Sequence, residues 1–305
     1  MNDLISLKRR TKVANQGLLA DSVPSPQSPT VMQDGNHLML FLYKYYSNLD
    51  FVLDTILNKR IYFSSPNDFN DPFDCHPKFS LFRCKNDDIS DWKYYLSALA
   101  KEQNPDISQN ESIKHAEAAI KNGLHQNKDW LLKNDQFCTQ VHKEELKKIR
   151  ISCFTKTPRN QMMWAHYANN HKGIVLQFRA SFMVDANTET FKGVEVEYYT
   201  NHINLKRYVN TIKEAEEGDN QAFLRLMFCT KSIEWAQEEE VRFFSRNTYV
   251  PFREEALTGI LFGSQSPSHC KSLFIKVLSD WTNIPKLYQE DVKKSSVRMH
   301  FKQLN

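Results

Sequence analysis

Glycine is scarce in this chain, and the scarcity limits what it can build. Only 8 of 305 residues are glycine, at positions 17, 35, 123, 173, 193, 218, 259 and 263, against roughly 7% in ordinary proteins. No subset of them spells G-x-G-x-x-G or G-x-x-x-x-G-K-[ST], the two loops in which missing side chains let backbone amides close on a phosphate. An ordinary Rossmann dehydrogenase and a P-loop NTPase are excluded on that ground. A nucleotide site in this chain has to be assembled from side chains.

Other classes fall away for separate reasons. The longest apolar stretch, Leu38 to Tyr43, is far shorter than the ~20 residues that a membrane span needs. The opening segment MNDLISLKRRTKVANQ has charges but no continuous apolar core, so it does not read as a secretory signal. The six cysteines, at 75, 84, 138, 153, 229 and 270, form no C-x-x-C and read as reduced thiols. The expectation is a cytoplasmic protein with no membrane partner. No pair of the cysteines has zinc-ligand spacing, Cys75-His76 with Cys84 being the nearest approach, so no metal is expected. Forty basic residues against 36 acidic ones, net +4, permit a nucleic-acid partner without arguing for one.

Residues 1–36 read as a flexible arm, because DSVPSPQSPT at 21–30 offers no apolar periodicity to offset its ordering entropy. Residues 37–305 read as one α+β domain. The apolar, aromatic run LMLFLYKYY predicts a buried strand, and LDFVLDTILN a helix with Ser47 or Asn48 as its N-cap. IYFSS (61–65) predicts a strand that stops at Pro66. Residues 86–150 turn polar with single apolar residues at helical spacing, and predict an inserted helical segment. ISCFT, KGIVLQFR, GVEVEYY, EEEVRFFS, TGILFG and VRMHF predict further strands. EEEVRFFS alternates and is expected to keep one wet face. Strands and helices mix without regular βαβ alternation, which favours a mixed or antiparallel sheet over a doubly wound one.

Three polar clusters are candidates for chemistry. The first joins Lys44 and Tyr45 to Ser64, Ser65 and the Asn70-Asp71-Pro72-Phe73-Asp74 turn. Taken alone, Asn70 and Asp71 also fit a loop whose side chains satisfy its own amides. The second runs from Met162 to Gly173, with Trp164 and Tyr167 on one helical face and His166, His171 and Lys172 beside it. It is either a core helix, as Met and aromatic stripes usually are, or the wall of a site. The third is Glu238-x-Glu240-x-Arg242, which in a strand points one way. It is either a solvated edge strand with an internal ion pair or a carboxylate pair at the mouth of a cleft.

The blocks L-Y-K-Y (42–45), Y-F-S-S-P-x-D-F-N-D-P-F-D (62–74), M-W-A-H-Y-A-x-N-H-K-G-I (163–174) and W-x-x-E-x-E-x-R (235–242) together resemble the bacterial DUF2971 proteins over about residues 40–265. Their layout is in turn similar to ADP-ribosyltransferase-type toxins, the DNA-modifying DarT group among them. That resemblance implies an ADP-ribosyltransferase-like fold, NAD as substrate and a toxin-like or phage-defence effector. It also implies a nucleic-acid or protein acceptor. Glu240 would be catalytic with Glu238 beside it. Lys44 would contact the ribose, where such enzymes commonly carry Arg or His, Tyr45 would stack on nicotinamide, and Ser64 or Ser65 would hold the sugar. Asn70, Asp71 and Phe73 would complete the NAD contacts. Trp164, His166, Tyr167, His171, Lys172 and Arg242 would face substrate. Nicotinamide–ribose cleavage passes through an oxocarbenium-like sugar, which a fixed carboxylate stabilises. Two other readings remain open: a non-enzymatic nucleotide- or partner-binding sensor, and a metal-dependent nuclease in which Asp71, Asp74, Glu238 and Glu240 bind Mg²⁺.

Overall fold

The computed structural model describes residues 33–34, 37–38, 41–75, 88–180, 193–200, 203–292 and 298–304. Nearly all of the expected arm at 1–36 lies outside them. From residue 41 the strands are β1 Phe41–Tyr46, β2 Arg60–Tyr62, β3 Arg150–Thr155, β4 Ile174–Arg179, β5 Val194–Glu195, β6 Glu197–Tyr199, β7 Thr230–Ser232, β8 Glu240–Ser245, β9 Tyr249–Pro251, β10 Leu257–Phe262, β11 Lys286–Asp291 and β12 His300–Gln303. The helices are α1 Leu49–Leu57, α2 Ile89–Gln103, α3 Gln109–Lys121, α4 Lys128–Lys148, α5 Gln161–Tyr167, α6 Leu205–Glu216, α7 Ala222–Phe228 and α8 Ser268–Val277. The fold is mixed α+β. Where the sequence reads one domain, the contacts group the chain into two compact units.

One unit, formed from described residues in 33–68, 149–196 and 234–304, holds an eight-stranded sheet in the order β12-β11-β10-β4-β1-β3-β8-β5. β10 and β11 run parallel, and the other neighbours are antiparallel. Alternation gives the sheet two apolar faces. On one, Leu42, Leu176, Phe178, Val241, Phe243 and Ile260 pack with Val52 and Ile56 of α1 and Phe274 of α8. On the other, Val175 and Leu261 pack with Trp164 of α5, Ala168 and Met299. Burying each such large side chain contributes about 1.5–3 kcal/mol, so the central strands are held from both sides. α1 starts where the sequence places it, because Asn48 accepts a hydrogen bond from Asp50 N at 2.8 Å.

The strand expected at 61–65 is shorter. β2 ends at Tyr62, and Ser64 makes only an isolated bridge with Ile151. The wet face expected for EEEVRFFS is absent: the strand begins at Glu240 and all six of its residues are buried. β11 and β9 were not legible as strands.

The other unit takes the described residues in 69–148 and 197–233. It contains the helices expected at 86–150, to which α6 and α7 are added. Trp92, Tyr95, Leu96, Leu99, Leu205, Tyr208, Val209 and Ile212 form its core. α3 opens on a reciprocal capping box between Ser108 and Glu111. GVEVEYY, expected as one strand, is two: β5 pairs with β8, whereas β6 pairs in parallel with β7 in this second unit.

Candidate functional site

Three neighbouring strands of the large sheet, β1, β3 and β8, carry the Lys44, Cys153, Glu240 and Arg242 side chains. Arg242 is fully buried and Glu240 nearly so. Its guanidinium donates to both carboxylate oxygens of Glu240, Nε to Oε1 at 2.8 Å and Nη2 to Oε2 at 3.0 Å. This two-pronged contact is the strongest form of the pair. The register sets Arg242 opposite Cys153 and Glu240 opposite Thr155, so these four side chains share a face. Burial, and next the Glu240 carboxylate, push the Cys153 thiol well above its ordinary pKa, while Arg242 pulls the other way.

Lys44 approaches β3 along the seam but from the opposite face of the sheet: it lies opposite Leu176 and its ammonium sits over the Phe154 ring, on the side of Val241 and Phe243. β1 meets β3 only at Tyr43 opposite Thr155. Beyond that point Lys44 Nζ donates to Ser152 Oγ at 2.8 Å and to Cys153 O at 3.4 Å. The side chain keeps part of its surface open, yet protein surrounds its ammonium. Burial lowers the Lys44 pKa, and the charges of Cys153 and Glu240 oppose that drop. Lys44 and Glu240, far apart in sequence, therefore act on each other electrostatically.

Glu238 does not share the strand face with Glu240. It ends a 3-10 turn, Ile233–Glu238, and the chain reverses at Glu239, whose φ is +46°. Tyr167 instead fixes Glu238, its hydroxyl donating to Oε1 at 2.8 Å. Asn160, which caps α5, also donates to Gln237 O. The expectation that 238, 240 and 242 point together holds only for the last two.

Several expected contacts are engaged elsewhere. Tyr45 lies on the Glu240 face of the sheet, opposite Lys44, but its ring is edge-on to Trp164 at 5.5 Å. Its hydroxyl donates to Thr157 O at 3.4 Å, and burial raises its pKa. Ser64 donates to Ile151 O at 3.3 Å. Its partner Ile151 is four residues from Thr155 along β3, roughly 13 Å, so Ser64 does not reach Glu240. Ser65 accepts from Asn67 N at 3.4 Å.

Asn70, Asp71 and Phe73 belong to the helical unit. Asp71 accepts from Phe73 N at 2.9 Å, the loop-capping role, and Phe73 is exposed. In the same unit Asp74 pairs with Lys231, both buried, at 3.4 Å.

Trp164 is fully buried and donates Nε1–H to Pro158 O at 2.7 Å. It is core rather than the wall of a site. His166 and Lys172 are exposed. His171 pairs with Glu290 at 2.9 Å. The H-K-G block is a tight turn: Asn169, Asn170 and His171 have φ of 48°, 51° and 64°, residue types that tolerate the left-handed region best after glycine.

Sequence reasoning missed Ser152, Cys153 and Glu290. Two polar residues inside the otherwise apolar ISCFT were the available signal for the first two. Among the described residues no group of three His, Cys, Asp or Glu side chains is arranged to hold a metal.

The large sheet, with its buried Arg242–Glu240 pair opposite Cys153 and Thr155, defines an α+β protein with polar groups built into adjacent strands β3 and β8. Residues 163–243 match the family model described as "Protein of unknown function (DUF2971)", which bears out that resemblance over the Trp164 and Glu238–Arg242 blocks. The blocks at 42–45 and 62–74 lie outside the matched segment. No curated protein and no solved structure matches the chain. Among the described residues no helix is long and apolar enough to cross a membrane.

Proposed function

We propose that the chain cleaves or transfers the ribosyl group of NAD, with Glu240 as the carboxylate that stabilises the ribosyl cation. The observation that supports this reading is the clamp of Arg242 on Glu240, with the charge of Lys44 acting on it from the other face of the sheet. A carboxylate held by a guanidinium stays ionised, and its charge counts for more where water is excluded. Glu238, oriented by Tyr167, is the second acid. Of the early-strand contacts that the resemblance implies, Tyr45, Ser64 and Ser65 leave this reading, and Lys44 stays in it as a charge behind the sheet rather than as a ribose contact. The acceptor is a nucleic acid, a protein or water, and the setting is that of a toxin-like effector.

Overexpression in a bacterial host tests the reading without knowledge of the acceptor. Growth arrest by the wild type, relieved by Glu240→Gln at equal soluble yield, is the expected result. Equal arrest by both proteins counts against chemistry at Glu240.

A further inference from the structure

The His171–Glu290 pair lies in the same unit as Glu240 but at another part of the sheet. β11, which carries Glu290, is separated from β8 by β10, β4, β1 and β3, roughly 24 Å at the usual strand spacing. His171 Nδ1 lies 3.0 Å from Glu290 Oε1 and 2.9 Å from Oε2. Glu290 is buried, and its Oε2 also accepts from Ser264 N at 2.7 Å. A carboxylate only accepts, so Nδ1 carries the proton and, in the neutral ring, Nε2 carries the lone pair. Among the described residues Nε2 has no hydrogen-bond partner and is not buried. The side chain keeps 24% of its surface open.

The ring is held in place on every other side. It stacks on Trp164 at 5.9 Å and 14°. Its own carbonyl accepts from Gln265 N at 3.0 Å. Its backbone is fixed in the left-handed region. An imidazole with one nitrogen on a buried carboxylate, its face on an indole and its other nitrogen open to solvent is the arrangement of an oriented base.

We propose that His171 Nε2 is a second reaction centre, a general base for attack on an ester-class carbonyl. Nε2 takes the proton of a water or hydroxyl as that oxygen bonds to the carbonyl carbon. Glu290 stabilises the imidazolium. When the carbon–oxygen bond to the leaving group breaks, the proton passes to the departing alcohol, leaving the ring neutral.

The probe is p-nitrophenyl acetate, with the full chain. Protein-dependent hydrolysis is expected to fall at least tenfold in His171→Asn, a side chain that also tolerates the left-handed backbone. General-base contributions run to about 10²–10⁴-fold. Glu290→Gln is expected to fall about tenfold on the same principle. His269→Asn, at an exposed position, keeps the wild-type rate. Hydrolysis no faster than buffer, or a His171→Asn rate equal to the wild type, overturns the proposal. If Glu290→Gln does not fold, carbethoxylation of the wild type by diethyl pyrocarbonate replaces it. Faster modification of His171 than of His269 supports the base, and equal or slower modification overturns it.

Discussion

Gly173 has no room for a side chain. A Cβ there would collide with Tyr46 O and come within 2.8 Å of Ala168 Cα and O, and one on Gly263 would strike His171 O. The two glycines let the left-handed turn at 169–171 lie flat against the sheet. Gly173→Ala is therefore expected to destabilise the protein by about 2–3 kcal/mol, since overpacking of this kind typically costs 1–3; a urea midpoint equal to the wild type would contradict that contact. Lys44 presents the opposite case. Its lowered pKa means that the folded state resists its charge. Between the folded pKa and the ordinary lysine value the unfolded chain binds more protons, so this residue's contribution to stability rises with pH. Lys44→Met is expected to keep or raise the urea midpoint at pH 7 while reducing nicotinamide release from NAD. Lost stability with activity intact would make Lys44 a structural residue. Lys44, Glu240 and Arg242 stood out in the sequence as polarity out of place. Their partners were not, because strand periodicity says which face a residue takes and nothing about which strand lies alongside.

α5 is only seven residues long, too short to persist by itself, so its ends and its packing hold it. Asn160 accepts from Met162 N at 2.9 Å and Met163 N at 3.3 Å and also donates to Gln237 O. Asn160→Ala is expected to cost about 1–2 kcal/mol in chemical denaturation and to loosen the turn that carries Glu238; an unchanged midpoint would show that the cap is dispensable. An element with a strong local signal, such as α1 with its Asn48 cap, was readable in advance. EEEVRFFS was misread because alternation of charge and aromatic residues normally marks a half-solvated strand. Here the two charges that begin the alternation satisfy each other inside the protein. GVEVEYY was misread because no local feature marks Val196 as the point where a strand passes from one unit to the other.

At the scale of the whole molecule, each unit has its own apolar core. The sequence showed the change in composition at 86–150 but not the return of 197–233 to the same unit, because joining segments distant along the chain is a tertiary event. In the large sheet β1, β4 and β10 are central and β12 is an edge. Hydrogen exchange is expected to be slowest at Leu176, Phe178 and Ile260 and fast along 300–303; the reverse order would contradict the strand arrangement. The central claim is that this sheet holds Glu240 ionised for ribosyl transfer, and the direct measurement is nicotinamide release from NAD by purified wild type and Glu240→Gln. Because removing one partner of a buried pair can cost about 3–5 kcal/mol, circular dichroism must first show that the variant is folded. Release by the wild type that disappears in the folded variant is the expected result. No release by the wild type, or the same rate from both proteins, would contradict it.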